Sequence, residues 1–247
     1  MVLASLLVAF GSAATAHALT IEYALDRNPA LLACDKPLYR GQVAEAQACY
    51  RNLVAGNPDA RIKADAARAL GDVRSANTFF QTASKEHEGD PAVLTRWGEL
   101  FLATHQNDQA IQLFQEALEA DAAYAPAKIG LAKVAAGRFD EKTREWAQQV
   151  IDDAPDQALE AHLLLARAAL EDGAIDDGDD HLDEALELAE DNERSPLEVY
   201  ALKASIDLLR NKTSSEWTQK ALALNPRFDV TGAAEARALL DDRRDAS

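Results

Sequence analysis

The sequence predicts an all-α protein built from about six helix–turn–helix repeats. Three observations predict this fold class. Alanine and leucine, which favour helices, make up about a third of the 247 residues. Valine and isoleucine, which favour strands, are scarce. Apolar residues also recur at helical spacing, in a pattern that repeats about every 34 residues along the chain.

The acidic composition excludes two classes of partner. The formal net charge is −17 at pH 7. Nucleic acid and anionic membrane surfaces are both bound through patches of lysine and arginine, so we expect neither as a partner. Because 48% of the residues are hydrophobic, the chain has enough apolar material to fold and is not a disordered acidic tail.

Residues 1–18 are predicted to be a signal peptide. The apolar run 2–10 has the length of a signal-peptide core and is too short to span a bilayer. The sequence Ala16-His17-Ala18 matches an A-x-A cleavage site. The usual preceding lysine or arginine is missing, which leaves an N-terminal core helix as the alternative. The prediction is a periplasmic or otherwise exported protein, with no membrane insertion after cleavage.

The two cysteines, Cys34 and Cys49, are candidates for a disulfide. They lie equally far along the chain from a turn near Gly41, so an antiparallel helical hairpin would place them level with each other. An even cysteine count in an exported protein favours a disulfide, which needs Cα atoms within about 7 Å. Two buried free thiols are the alternative. Neither a third cysteine nor a histidine lies nearby to suggest zinc.

The clearest repeat covers residues 91–124. Apolar residues recur at helical spacing on both sides of a polar turn at residues 105–108, which predicts two antiparallel helices. Small residues among them let the two helices approach closely. The pattern is carried by Leu94, Trp97, Gly98, Phe101, Ala110, Phe114 and Ala117.

This segment resembles the tetratricopeptide repeat (TPR) family. It has the family's large apolar residue, glycine, aromatic and A-x3-F-x2-A pattern, but it carries Ala122 where the family has a terminal proline. Weaker copies recur along the chain. The resemblance implies a TPR-like α-solenoid in a right-handed superhelix. The predicted units after the signal peptide are an atypical repeat 19–58, repeats 59–90, 91–124, 125–158 and 159–195, a degenerate repeat 196–227, and a C-terminal capping helix 228–247.

The resemblance also implies a binding surface, because in this family the first helix of each repeat lines a concave groove that binds a peptide or a partner helix. We expect an exposed apolar patch around Leu102, Ile129 and Leu163. For each candidate, plain solvent exposure without a binding role is the alternative. By matching repeat positions, the groove candidates are Arg61, Asp65, Arg68, Thr95, Glu99, Leu102, Ile129, Lys133, Leu163 and Arg167.

Catalytic and metal motifs do not occur in the sequence. It contains no H-E-x-x-H, G-x-S-x-G or G-K-[ST] pattern, and the acidic stretch 171–193 does not fit a calcium loop. We therefore expect a non-catalytic scaffold without a cofactor or metal, which binds a protein or peptide partner. The alternatives are the N-terminal segment of a longer secreted enzyme, such as a zinc peptidase, or a purely architectural spacer.

Overall fold

The computed structural model describes residues 23–138, 140–210 and 215–228. Within these ranges the chain forms helices and connecting turns, and no β-strand is present. The fold class predicted from the sequence is therefore confirmed. The α-helices are α1 Pro29–Tyr39, α2 Val43–Gly56, α3 Ala60–Ala69, α4 Val73–Glu86, α5 Pro91–Ala103, α6 Asn107–Ala120, α7 Ala125–Ala136, α8 Lys142–Asp153, α9 Leu159–Glu171, α10 Ile175–Asp191, α11 Leu197–Leu209 and α12 Glu216–Leu224.

Short polar side chains fix where several helices begin. Asn28 caps α1 by accepting from the backbone N–H of Ala30. Asp59 and Asp90 do the same for α3 and α5. Each cap satisfies a backbone donor that has no partner within the helix. The first helices of the first three hairpins thus start at positions that the local sequence specifies.

Consecutive helices pair into six antiparallel hairpins, α1 with α2 through α11 with α12. Each hairpin also packs on the next one, so the hairpins stack into a solenoid. From α1 to α9, each first helix additionally contacts the first helix of the following hairpin. The first helices therefore form one continuous surface, which we call the concave face.

Small residues let neighbouring helices approach in the core. The Phe114 side chain is fully buried and lies between Gly98 of α5 and Gly130 of α7. A Cβ atom built on Gly98 would lie 2.7 Å from the Phe114 ring, and one built on Gly130 would lie 2.5 Å from it. Ala110 and Ala117, on either side of Phe114 along α6, are also fully buried. One aromatic ring thus fills the space that two glycines leave open.

Cys34 and Cys49 are joined by a disulfide between α1 and α2, with their Cα atoms 5.4 Å apart. Cys34 is fully buried. The bond closes a short loop between helices of the same hairpin, which is worth roughly 3 kcal/mol by its effect on the unfolded chain. It joins the two helices of the first hairpin directly.

The first hairpin also meets the last one. Gly41, in the turn between α1 and α2, has a φ of +74°, a conformation that glycine adopts most readily. A side chain at this position would collide with Asn225, which follows α12. Tyr39 belongs to the same apolar cluster as Ile206 and Ala221 of the last hairpin. The ends of the described array are therefore in contact.

Two predicted segments lie outside the described residues. These are the signal peptide 1–18 and the capping helix 228–247, apart from its first residue. Within the described ranges, no helix has both the length and the apolar character that crossing a bilayer requires.

Candidate functional site

A row of paired charges runs across the concave face. Arg68 of α3 lies 3.3 Å from Asp65 and 3.5 Å from Glu99 of α5. Lys133 of α7 then bridges Glu99 at 3.8 Å and Glu160 of α9 at 2.6 Å. Burial raises the pKa of Glu160, although the charge of Lys133 opposes this shift. Four successive first helices are thus linked by alternating charges, and we call this set the charge row.

The 34-residue period of the sequence explains the row. Asp65, Glu99, Lys133 and Arg167 are spaced at that interval, so they occupy the same position in four successive first helices. Arg167 continues the row towards α11, where its guanidinium pairs with Glu198. Three of the four have partly exposed side chains, and only Asp65 is buried. The arrangement offers hydrogen-bond donors and acceptors at regular intervals to a polypeptide lying along the face.

Residues 23–28 cross this face before α1 begins, and we call them the N-terminal segment. The Tyr23 hydroxyl donates to Glu198 Oε2 at 3.0 Å, and the Ala24 carbonyl accepts from Arg194 Nη2 at 2.9 Å. Both partners belong to the last third of the chain. The Tyr23 ring is 7% exposed and joins the apolar cluster that contains Leu163. Burial is the main reason why the pKa of Tyr23 is raised, and the nearby Glu198 adds to it.

A tight turn follows Tyr23, closed by the Arg27 N–H donating to the Ala24 carbonyl at 3.3 Å. The turn presents the Asp26 carboxylate to the middle repeats. One Asp26 oxygen accepts from the Tyr124 hydroxyl at 2.8 Å, and the other lies 3.6 Å from Arg96 Nη2. The N-terminal segment therefore contacts the third and fourth hairpins as well as the last one.

Arg27 anchors the end of the N-terminal segment in a buried ion pair. Its guanidinium donates two hydrogen bonds of 3.0 Å to Asp35 of α1 and lies 3.5 Å from Asp65 of α3. The Arg27 and Asp35 side chains are only 2% and 3% exposed. Tyr50 of α2 donates a further hydrogen bond to Asp35 at 2.5 Å. The segment is thus tied to the first two hairpins at one end and to the last hairpin at the other.

A cavity of about 310 Å³ lies where the N-terminal segment meets the concave face. Tyr23 and Leu25 form one wall, while Leu102 and Lys133 belong to the wall made by the first helices. Leu25 is 40% exposed, which is unusual for a large apolar side chain in this structure. The N-terminal segment therefore occupies part of the concave face and leaves an open space beside it.

The ten predicted groove residues fall into three groups by burial. The exposed and half-buried groups are accessible to a partner, whereas the buried group is not. Arg61 is accessible but pairs with Asp59 and Asp90, away from the charge row. The exposed residues are Arg61 and Arg167, the half-buried ones are Arg68, Glu99, Leu102 and Lys133, and the buried ones are Asp65, Thr95, Ile129 and Leu163.

The prediction of an exposed apolar patch is therefore wrong for two of its three residues. Ile129 is 4% exposed and Leu163 is 1% exposed, while Leu102 is half-buried. Ile129 belongs to the same apolar cluster as Leu165 of α9, and Leu163 belongs to the cluster that contains Tyr23. These side chains are covered because neighbouring first helices touch and because the N-terminal segment lies over them. The face is consequently more polar than the sequence predicts.

Sequence reasoning missed Tyr23, Asp26, Arg27, Arg96 and Glu160. The signal for the N-terminal segment was present, since Asn28-Pro29 is a typical helix start. That start leaves residues 23–27 as a non-helical stretch before the first hairpin. No local pattern, however, indicates that this stretch folds back over repeats distant in sequence.

A pair of histidines lies between α9 and α10, apart from the charge row. The Nδ1 atoms of His162 and His181 are 3.2 Å apart. Burial lowers the pKa of both, and the His181 charge lowers that of His162 further. Glu184 faces both rings and opposes the shift, and Asp177 and Asp180 do so for His181. The fold thus favours the neutral form of both rings.

We expect acidification to lower the free energy of unfolding through this pair. Because the pKa values are lowered in the fold, the unfolded chain binds more protons as the pH falls below 6.5. Each extra proton bound by the unfolded state changes the stability by about 1.4 kcal/mol per pH unit. Urea unfolding of His181→Asn between pH 7.5 and 5 will show a shallower loss than the wild type. The variant His87→Gln, outside the pair, is the control, and an unchanged slope in His181→Asn would contradict the assignment.

Among the described residues, no group of three or more His, Cys, Asp or Glu side chains is placed to hold a metal ion.

Comparison with known proteins gives matches at the level of structure. Neither a family model nor a curated protein matches the sequence. A tetratricopeptide repeat protein from Parabacteroides merdae is similar, with a TM-score of 0.60 at 19% identity over 86% of this chain and 85% of that one. PilW, a type IV pilus biogenesis factor, gives 0.53 at 16% identity, covering 78% of this chain and 91% of its own.

A third similar structure is much longer. It comes from the hetero-tetramer Cut9–Hcn1 and gives a TM-score of 0.60 at 16% identity, over 87% of this chain. The match spans only 44% of that longer chain. At these identities the likeness concerns the fold, and it agrees with the repeat pattern and the six stacked hairpins. The chain therefore has the fold of the tetratricopeptide repeat proteins.

Proposed function

We propose that this chain is a non-catalytic scaffold of the cell envelope that binds a protein partner through its concave face. The observation that carries the proposal is the cavity of about 310 Å³ on that face, where apolar side chains such as Leu102 lie beside charged ones such as Lys133. Leu102 and Lys133, which line it, are half-buried, and Arg167, one repeat after Lys133, is exposed. A surface of this kind offers paired charges and a small apolar contact to a polypeptide, which suits a specific and reversible interface.

The similar structures support a scaffold role. One of them is part of a hetero-tetrameric assembly, and another is a factor in pilus biogenesis. A solenoid serves this role well because its stacked repeats expose an extended surface.

An envelope location is supported by two features of the chain. The run 2–10 followed by Ala16-His17-Ala18 has the pattern of an export signal. The Cys34–Cys49 disulfide fits the same location, because disulfides persist in oxidising compartments and are rare in the cytosol.

The proposal is tested by capture of partners from an envelope extract of the source organism. The bait is the wild type, and the test variant is Leu102→Ser/Arg167→Ala on the concave face. The matched control is Val73→Ser/Arg74→Ala, which makes the same kinds of change at two exposed positions of α4. Circular dichroism establishes that all three baits are folded.

We expect a partner that the wild type and the control capture and that the test variant loses. A partner retained equally by all three would contradict binding through the concave face. Absence of any captured partner would favour the architectural spacer.

A further inference from the structure

The N-terminal segment makes the contacts of a bound ligand. Its first four residues use a phenol, a main-chain carbonyl and a carboxylate to reach Glu198, Arg194 and Tyr124. These partners lie in two different hairpins, and each is about 100 or more residues away along the chain. If the N-terminal segment served only to start α1, it would need no contact beyond the first hairpin.

The part of the segment before Arg27 is held less firmly than Arg27 itself. The Asp26 side chain is 44% exposed and its ion pair with Arg96 spans 3.6 Å, so this contact is worth little in water. Leu25 is exposed beside the cavity. Arg27, by contrast, is fixed in a buried ion pair with Asp35. Leu25 and Asp26 can therefore move without disturbing the buried Arg27 pair, and Tyr23 is the one buried side chain of residues 23–26.

We infer that the concave face recognises a tyrosine-turn segment, in which a tyrosine is followed three residues later by a carboxylate. Residues 23–26 of the chain are the resident occupant of this site. This inference rests on the proposed function in that the partner uses the same face. A partner with this chemistry places its hydroxyl on Glu198 and its carboxylate between Tyr124 and Arg96, and it displaces the N-terminal segment.

The charges of the site select this ligand. Tyr124 donates a hydrogen bond to a carboxylate and Arg96 places a positive charge 3.6 Å from it, while Glu198 accepts from a hydroxyl. Arg194 donates to the intervening main chain, which any residue provides. The site thus specifies the two ends of the motif and leaves the residues between them free.

The test is fluorescence polarisation with a labelled, amidated peptide that copies residues 21–28, IEYALDRN. It is titrated with the full chain and with the full-length variant Tyr23→Ala/Asp26→Ala, in which the resident segment has lost both side-chain contacts. Because the N-terminal segment occupies the site, the apparent affinity for the peptide is the intrinsic affinity multiplied by the fraction of molecules in which the site is free. We expect the variant to bind the peptide about tenfold or more tightly than the wild type does.

Three controls make the result specific. The variant Asp108→Ala changes a fully exposed acid elsewhere and will bind the peptide as the wild type does. A peptide with alanine in place of both its tyrosine and its aspartate will not bind Tyr23→Ala/Asp26→Ala, which we call the opened variant. Adding Tyr124→Phe to the opened variant will weaken binding of the unaltered peptide, because the donor to the carboxylate is lost.

Because Tyr23 is largely buried, the single variant Asp26→Ala is measured as well and will shift the affinity in the same direction. Equal peptide affinity of the wild type and both opened variants, or no saturable binding by them, would overturn the inference. Neither result depends on the partner capture described above. The scaffold proposal therefore stands or falls separately, since a partner of other chemistry can still use the concave face.

Discussion

Replacement of Phe114 by alanine is expected to lower the free energy of unfolding by about 3–5 kcal/mol. The ring is fully buried and fills the space between Gly98 of α5 and Gly130 of α7. Its removal leaves a cavity that α5 and α7 cannot close without moving, because α5 also packs on α4 and α7 also packs on α8. Urea denaturation followed by circular dichroism measures the loss.

Substitution of Gly130 provides the control for this interpretation. In the wild type, Gly130→Ala places a methyl group 2.5 Å from the Phe114 ring and is expected to cost about 1–3 kcal/mol. In a Phe114→Leu background the ring is absent, so the same change gains the higher helix propensity of alanine, up to about 1 kcal/mol. Equal destabilisation in both backgrounds would show that the ring and Gly130 are not packed as described.

Replacement of Arg27 by leucine is expected to cost about 3–5 kcal/mol as well, because it leaves the buried Asp35 carboxylate without its cation. Asp35 loses two hydrogen bonds of 3.0 Å, and Asp65 loses a charge 3.5 Å away. The same urea measurement applies. Arg61→Leu is the matched control, since Arg61 pairs with Asp59 on an exposed surface and its loss is expected to change stability by less than about 1 kcal/mol.

A double variant separates the charge from the packing. If the unpaired carboxylate dominates the cost, Arg27→Leu/Asp35→Leu will be more stable than Arg27→Leu alone, because no uncompensated charge remains at Asp35. A double variant less stable than either single variant would instead assign the cost to the shape of the two side chains.

The fold was predictable because its determinants are local. Gly98, Ala110, Phe114 and Ala117 were identified from helical spacing alone, and the structure buries all four. The start of α5 is also specified locally, because the Asp90 side chain accepts from the backbone N–H of Ala92. In a solenoid each repeat contacts mainly its neighbours, so a pattern within about 34 residues carries most of the information that the fold requires.

The site was predictable only in part. The 34-residue interval identified Glu99, Lys133 and Arg167, which do lie on the concave face. It also identified Leu163, whose burial depends on Tyr23, more than a hundred residues earlier in the chain. Repeat spacing determines which side of a helix a residue occupies. It contains no information about a segment outside the repeats that folds back over that side.

The contact between the first and last hairpins has a consequence for how the array comes apart. A linear repeat array frays from its ends, because a terminal repeat has one neighbour where an internal repeat has two. Here Gly41 lies against Asn225, so the terminal hairpins each gain a second neighbour. This contact opposes the separation of either terminal hairpin from the described array. Such an array is expected to melt as one cooperative unit, without progressive loss of repeats from either end.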